Sequence, residues 1–262
     1  MNKLNIFPFC IIATACTSLM FSSRVDAAVG QNLIVNGNAE QGKCDAVGNA
    51  VGSAIPAIPG WVPTGSFSVL CYGATGFEFV NPRGETVRVS GLPDANSGGP
   101  INRGKAFFYG GGNRASSSAS QLINVGNLAS IIDGGKGTYS LSGWLGGYST
   151  DADSAIVNVF FLGQNNQSLG SGSITSRTAQ QRNNTTGLFL QSANGIVPVG
   201  TRQINVLLNA DYKQGRVNDA YFDNLSLVIT PVPEPSMAPM SFVGLSLLVG
   251  WKVRRNIKNK SI

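Results

Sequence analysis

The side chains that could carry chemistry are few, and histidine is missing from all 262 residues. Its absence excludes Ser-His-Asp and Cys-His nucleophilic systems and the usual proton shuttle near neutral pH. A carboxylate pair, as in glycoside hydrolysis, would remain. Glu78 and Glu85 flank a Pro-Arg-Gly turn in which they face solvent as readily as a site, and Asp151 with Asp153 lacks EF-hand spacing and is interpreted as a solvated turn. The sequence therefore predicts a protein that is not an enzyme.

One carboxylate is notable for its place in a predicted strand. Asp223 shares the parity of Tyr221, Leu225, Leu227 and Ile229, so it is predicted to point towards the core side of that strand. An unpaired carboxylate there is costly unless a cation or hydrogen-bond donors compensate its charge. We therefore expect either a bound cation or an arginine or backbone-amide partner beside Asp223.

The first residues have the pattern of a secretory leader. A short positively charged opening, MNKLN, precedes a largely apolar run over residues 6–21, and Val25-Asp26-Ala27-Ala28 offers a cleavage point after Ala27. The alternative is a buried first helix, but the apolar run has no polar helical face. We predict a signal peptide over residues 1–27 and an exported protein.

The cysteines fit the same destination. Cys10 and Cys16 would leave with the signal peptide, so the exported body keeps Cys44 and Cys71, an even pair in an oxidising compartment. We predict that Cys44 and Cys71 form a disulfide. The alternative is two free buried thiols.

Basic residues give the chain a formal net charge of +6, but their positions argue against nucleic acid. Several lie in the leader or in the last dozen positions, and those of the body are scattered singly. A phosphate-tracking surface needs a cluster or stripe of positive charge. We therefore expect no nucleic-acid partner.

The body has the composition of an all-β domain. Glycine is abundant, charge is sparse, and short β-prone runs alternate with clusters of Gly, Asn, Ser and Pro. Their number and spacing predict a single β-sandwich over residues 28–230. The predicted strands cover residues 32–35, 66–72, 105–109, 120–125, 138–145, 155–162, 187–191, 203–210 and 220–229.

The end of the chain combines a short motif, an apolar segment and a basic cluster. Val232-Pro233-Glu234-Pro235 is followed by an apolar stretch of about 14 residues, shorter than the roughly 20 of a full membrane span, and then by Arg254 and Arg255. The positive-inside rule would keep the basic end in the cytoplasm. This layout resembles the PEP-CTERM sorting signal of Gram-negative bacteria, read at Pro233, Glu234, Pro235, Arg254 and Arg255. The alternative is a plain C-terminal membrane helix.

The PEP-CTERM resemblance implies a partner and a location. Residues 231–262 would form a transient inner-membrane anchor recognised by an exosortase, a membrane-embedded enzyme, in organisms that make exopolysaccharide. The processed chain would then lie at the cell surface or in the extracellular matrix.

Two segments of the body resemble carbohydrate-binding modules of the galactose-binding-like jelly-roll type. They are the run Asn32 to Gly42, followed by Pro59-Gly60-Trp61, and the closing Tyr221-Phe222-Asp223-Asn224-Leu225-Ser226-Leu227. The long insert over residues 43–59 and an alanine at position 39 depart from that family's pattern. The resemblance implies a jelly-roll sandwich whose first and last strands hold a structural calcium ion, with ligands from Asn38, Glu40, Lys105 and Asp223.

Binding is therefore the predicted function class, with a glycan or exopolysaccharide as ligand. Trp144, Tyr148 and Tyr212 are the candidate ligand-binding residues, because exposed aromatic rings can stack on sugar rings. Alternation along its strand could place Trp144 on the opposite face from Leu145, but the favoured alternative is that Trp144 and Trp61 are core residues. The alternative function is a structural component of the polysaccharide matrix without specific sugar binding.

Overall fold

A computed structural model of the protein describes residues 27–51, 55 and 57–232. These residues form one short α-helix, α1 (Ala129–Asp133), and two single-turn 3-10 helices (Gly126–Leu128 and Gln180–Arg182). The strands are β1 (Val62–Thr64), β2 (Ser68–Cys71), β3 (Glu78–Val80), β4 (Thr86–Arg88), β5 (Ala106–Gly111), β6 (Ser117–Asn124), β7 (Gly137–Gly147), β8 (Ser154–Leu162), β9 (Ser168–Thr175), β10 (Gly187–Ile196), β11 (Gln203–Asp211) and β12 (Asn218–Pro231).

Ten strands build two five-stranded antiparallel sheets that face each other. The front sheet has the order β10-β7-β12-β5-β2, and the back sheet has the order β1-β6-β11-β8-β9. Within them, the eight strands from β5 to β12 follow the jelly-roll order, and β1 and β2 extend the two edges. The predicted all-β jelly-roll sandwich is therefore confirmed at the level of sheets and strand order.

The core between the sheets follows from strict alternation along the strands. In β8 and β11 every second residue is buried. Large apolar side chains on the inner face of the front sheet, such as Phe108, Leu145 and Phe222, belong to the same core. Trp61 also belongs to this core and packs edge-on against Phe108 with ring centroids 5.6 Å apart. Burial of each such side chain contributes about 1.5–3 kcal/mol.

A second apolar cluster lies on the outer side of the front sheet. It contains the buried side chains Leu70, Leu92, Phe107, Tyr109, Leu188 and Tyr221, and we call it the outer cluster. The chain between β2 and β5, which includes the β3–β4 hairpin, covers it with Leu92 and the half-buried Val89. Part of the outer face of the front sheet is thus closed by the protein itself.

The predicted strand over residues 32–35 is wrong. Within it, only Asn32 makes a β-bridge, to Val228. The Asn32 side chain takes the place of backbone ladder bonds. Its Oδ1 accepts from the Ile34 and Leu227 amides, and its Nδ2 donates to the Leu225 carbonyl. Asn36 and Ala39 follow with positive φ angles of 51° and 57°, which a strand cannot contain. The segment is a series of turns pinned to β12.

The predicted orientation of Asp223 towards the inter-sheet core is also wrong. The pairing of β12 with β7 shifts register between Asp223 and Ser226, and Asn224 adopts a φ of 45°. This bulge adds a residue, so Asp223 shares its face with Tyr221 of the outer cluster, whereas Leu225 and Leu227 point into the core. Asp223 is nevertheless fully buried.

Residues 1–26 of the predicted signal peptide lie outside the described residues, and so does the sorting motif from Pro233 onwards. Within the described part of the chain, no helix is long and apolar enough to cross a membrane.

Candidate functional site

The two predicted carboxylate ligands of calcium lie close together, and protein donors contact both of them. Asp223 Oδ2 accepts a hydrogen bond from the Tyr72 hydroxyl at 2.7 Å, and its Oδ1 accepts one from the Asn224 amide at 2.7 Å. Glu40 Oε1 accepts from the amides of Lys105 and Ala106 at 2.8 and 2.9 Å. Hydrogen-bond donors, which were the predicted alternative to a cation beside Asp223, are therefore present in the structure.

Charge at this place is still incompletely balanced. Burial raises the pKa of Asp223 to about 7; the Tyr72 and Asn224 hydrogen bonds oppose this rise, the negative charge of Glu40 adds to it, and the positive charge of Arg103 lowers it. Glu40 and Asp223 thus act on each other unfavourably. A cation between them would relieve that repulsion, which is the property a calcium ligand pair needs.

The other two predicted ligands are Asn38 and Lys105. Asn38 is exposed and lines a cavity of about 330 Å³ together with Asn224 and Ser226. The Lys105 carbonyl accepts the Tyr72 amide at 2.9 Å, and its second lone pair stays available. The donor set is all oxygen and so fits calcium in type.

The outer face of the front sheet stays open beyond the outer cluster. Outward side chains of β7 and β10 form a surface that we call the front ledge, made of Ser140, Ser142, Trp144, Leu190, Ser192 and Asn194. Register places Leu190 opposite Trp144, Ser192 opposite Ser142 and Asn194 opposite Ser140. The side chains of Ser140, Ser142, Ser192 and Asn194 form no hydrogen bond with any of the described residues.

Trp144 joins the front ledge to the outer cluster. It faces away from Leu145, as alternation along the strand allowed, because Leu145 is in the inter-sheet core while Trp144 packs half-buried against the outer cluster. Its contact with the outer cluster restrains the ring, and its register opposite Leu190 places it at one end of the ledge. A fixed, partly exposed indole beside free hydroxyl and amide groups is suited to a sugar ring.

The two predicted tyrosines have different outcomes. Tyr148 is half-buried against the outer cluster, like Trp144, and its hydroxyl donates to the Ser90 carbonyl at 2.6 Å. Tyr212 follows β11 of the back sheet, and its hydroxyl donates to the Gly215 carbonyl at 2.9 Å. The structure therefore brings Trp144 and Tyr148 to one cluster, and Tyr212 does not belong to it.

The predicted disulfide is confirmed, since Cys44 and Cys71 are bonded with a Cα–Cα distance of 5.1 Å. It ties the N-terminal turns to the end of β2. Glu78 and Glu85 are exposed on the β3–β4 hairpin, where Glu78 pairs with Arg88 at 3.2 Å and Glu85 accepts from Asn81 at 2.7 Å. Neither glutamate lies in the front ledge.

The interpretation of Asp151 and Asp153 as a solvated turn is wrong. Both are buried and meet Asp219 of β12, with carboxylate oxygens of all three within 4.8 Å of one another. Asp153 accepts from the backbone amides of Lys213 and Asp219, and Asp219 accepts from the Tyr221 hydroxyl at 2.6 Å. We call these three aspartates the acidic cluster.

Burial dominates the electrostatics of the acidic cluster. It raises the pKa of Asp219 to about 8 and that of Asp151 to about 6, and it also raises the pKa of Asp153. Arg182, only 2% exposed, lies beside the cluster, but its guanidinium donates to backbone carbonyls, including that of Asp151. Burial beside like charges therefore favours the protonated form of these carboxyl groups.

Sequence reasoning missed the acidic cluster because its members come from two distant segments. The Asp151-Ala152-Asp153 spacing places two carboxylates in one turn, and Asp219 lies in the buried first half of β12. The available signal was a third acid at the start of a long apolar strand.

No family model matches the chain, and no curated protein matches its sequence. The chain resembles several solved structures at low identity. One is a family 16 carbohydrate-binding module (18% identity, 75% of this chain and 99% of that chain, TM-score 0.39). Another is the CBM22-1 xylan-binding domain from Paenibacillus barcinonensis Xyn10C (12% identity, 79% and 99%, TM-score 0.38).

A third similar structure is the enzymatically active domain of the bacteriophage CBA120 tailspike protein 4, with 13% identity and a TM-score of 0.42. The match covers 76% of this chain but only 21% of the tailspike chain. Because every quoted TM-score is below 0.5, the fold stands on the strand order described above, and the function must be argued from the site.

Proposed function

We propose that this chain is an exported, non-catalytic glycan-binding module whose ligand lies on the front ledge. The observation that carries the proposal is the open, outward row of unpartnered serine and asparagine side chains ending at the fixed indole of Trp144. Stacking on an aromatic face and hydrogen bonds to hydroxyl groups are the two interactions that recognise sugars.

The ledge geometry favours a saccharide over a protein partner. Neighbouring strands lie about 4.8 Å apart and outward side chains repeat about every 6.8 Å along a strand. Ser142, Ser192, Ser140 and Asn194 therefore offer donors and acceptors on a small regular grid, and Leu190 and Trp144 close one end with apolar surface. A sugar ring presents the same alternation of an apolar face and a rim of hydroxyl groups.

Calcium completes the proposal as a structural ion. Glu40 and Asp223, with the carbonyl oxygens of Asn38 and Lys105, would hold it between the N-terminal turns and β12. The ion would supply positive charge that lets two neighbouring carboxylates stay ionised in the fold. Its role would be stability, because none of these residues belongs to the front ledge.

The proposed route to the cell surface rests on the two ends of the chain. A leader over residues 1–27 exports the body, and an exosortase reads Pro233-Glu234-Pro235 with the Arg254-Arg255 end at the inner membrane. The Cys44–Cys71 disulfide agrees with an oxidising compartment. Exopolysaccharide is then the glycan that the module would meet.

A glycan array probed with residues 28–230 tests this function. Saturable binding to one class of polysaccharide, lost in Trp144→Ala, supports the module. Silence across the array, with the protein folded by circular dichroism, supports the alternative of a structural matrix component that binds no specific sugar.

A further inference from the structure

We propose that a second site, separate from the front ledge, binds the carboxylate of an acidic sugar. The site is a cavity of about 530 Å³ between the β3–β4 hairpin and the loops that follow β5 and β11. It rests on the proposed glycan-binding function and adds a ligand class to it. We call this cavity the arginine pocket.

Two arginines from distant parts of the chain line the arginine pocket. Arg114 comes from the turn between β5 and β6, and Arg216 comes from the loop between β11 and β12. Neither guanidinium forms an ion pair or a hydrogen bond with any residue that the structure describes. Unpartnered arginines are common on surfaces, as at Arg83, but here two converge on one cavity.

The one acidic residue that lines the arginine pocket does not neutralise Arg114 and Arg216. Glu78 also lines it, but the Glu78 carboxylate is already paired with Arg88 at 3.2 Å. The pocket therefore keeps an excess of positive charge. An anionic ligand is the natural complement, and a planar guanidinium matches a carboxylate with two parallel hydrogen bonds.

The aromatic residues of the β3–β4 hairpin define the rest of the ligand. The Arg216 guanidinium lies 4.0 Å from the centroid of the Phe79 ring, so stacking holds it in place and leaves its in-plane N–H groups free. Phe77 lies beside Phe79 with ring centroids 6.4 Å apart, and Asn49, which carries an amide, also lines the pocket. Apolar surface, an amide and two guanidinium groups together fit a sugar ring that bears a carboxylate.

Titration calorimetry with short oligomers of galacturonate, glucuronate and alginate tests the arginine pocket. The matched ligands are the same oligomers with their carboxylates methyl-esterified, which keeps each sugar and removes its charge. We expect at least one free acid to bind about tenfold more tightly than its ester, and Arg114→Gln or Arg216→Gln to remove most of that difference.

Matched variants separate this site from general charge and from the front ledge. Arg83→Gln removes one positive charge from the tip of the same hairpin and should leave the affinity unchanged. Trp144→Ala should weaken neutral glycans on the ledge without removing the preference for the acid. If neutral glycans bind through Trp144 while no acid exceeds its ester, the arginine pocket is refuted and the proposed function stands.

Two further outcomes would also overturn the arginine pocket. Equal losses in Arg83→Gln and in the pocket variants would show a diffuse charge effect. Polyphosphate binding as tightly as the acid, with the same dependence on Arg114 and Arg216, would refute a sugar as the ligand. If acids bind through these two arginines and no neutral glycan binds at Trp144, the pocket stands and the ledge does not.

Discussion

Single carboxylates decide the electrostatics of this sandwich, because several are buried with too few positive charges. Asp219, Asp151 and Asp223 all have a pKa raised above that of an ordinary aspartate. Their pKa values in the unfolded chain are near 3.8, so the folded protein binds more protons than the unfolded chain at mildly acidic and neutral pH. The stability they contribute is complete below about pH 4 and is lost as the pH rises towards 8.

In the absence of calcium, the melting temperature should therefore decrease as the pH rises from 5 to 8.5. Asp219→Asn should flatten the fall, because the amide keeps an acceptor for the Tyr221 hydroxyl and cannot ionise. Differential scanning fluorimetry in a chelator measures both curves. Asp133→Asn, which removes an exposed carboxylate, is the control and should leave the slope intact. A wild-type melting temperature that is constant or rises over this range contradicts the protonated acidic cluster.

The predicted calcium ion can be tested on Asp223 itself. Binding to the folded state alone stabilises it by about 2.7 kcal/mol at a hundredfold excess over the dissociation constant. Chelation should lower the melting temperature at pH 8, and Asp223→Ala should abolish that response. Asp219→Asn should retain the response, which separates the predicted site from the acidic cluster. Absence of metal by elemental analysis, with indifference to chelator, would mean that Tyr72 and Asn224 alone compensate Asp223.

The disulfide attaches an irregular segment to the front sheet. Residues 27–51 are mainly turns, and Cys44 bonds to Cys71 across a sequence separation of 27. Removing the bond with Cys44→Ser and Cys71→Ser should cost about 3 kcal/mol of unfolding free energy, measured by urea denaturation. Thiol labelling of the unreduced, denatured body should find no free cysteine in residues 28–230. Two labelled thiols would contradict the bond.

Alternation in the sequence predicted the central strands well, since β8 and β11 bury every second residue. It failed where local chemistry changes the register. The bulge at Asn224 reversed the predicted face of Asp223, and the strand β9, with the sequence SLGSGSIT, resembles a loop in composition although it pairs with β8. Asn32 looked like a strand residue, yet its side chain occupies the backbone groups of β12.

The candidate sites also differ in how far a local sequence pattern can predict them. Parity within one strand allowed an outward Trp144 but favoured no face, and the structure places the side chain against the outer cluster. The arginine pocket and the acidic cluster need residues from segments far apart in the chain, such as Asn49 with Arg216 or Asp151 with Asp219. Their convergence follows from the jelly-roll order, which no local pattern contains.

For the whole molecule, export and sorting imply a processed mature chain. Mass spectrometry of the surface fraction should find a chain that begins after Ala27 and ends near Pro233-Glu234-Pro235, because both ends would be removed during transit. An Arg254→Gln and Arg255→Gln double variant should accumulate uncut at the inner membrane. A surface-located chain that retains Lys260 would contradict the processing step.

Glycan binding by the front ledge can be measured as the affinity of the Trp144 variants for the polysaccharide selected on the array. Affinity electrophoresis should show about tenfold or greater weakening in Trp144→Ala, since the loss of a stacking ring removes a binding hot spot, and a smaller change in Trp144→Phe. Leu122→Ala, an exposed apolar position of β6 in the back sheet, should bind like the wild type. Equal affinity of folded Trp144→Ala and wild-type protein would show that the ledge is not the glycan-binding surface.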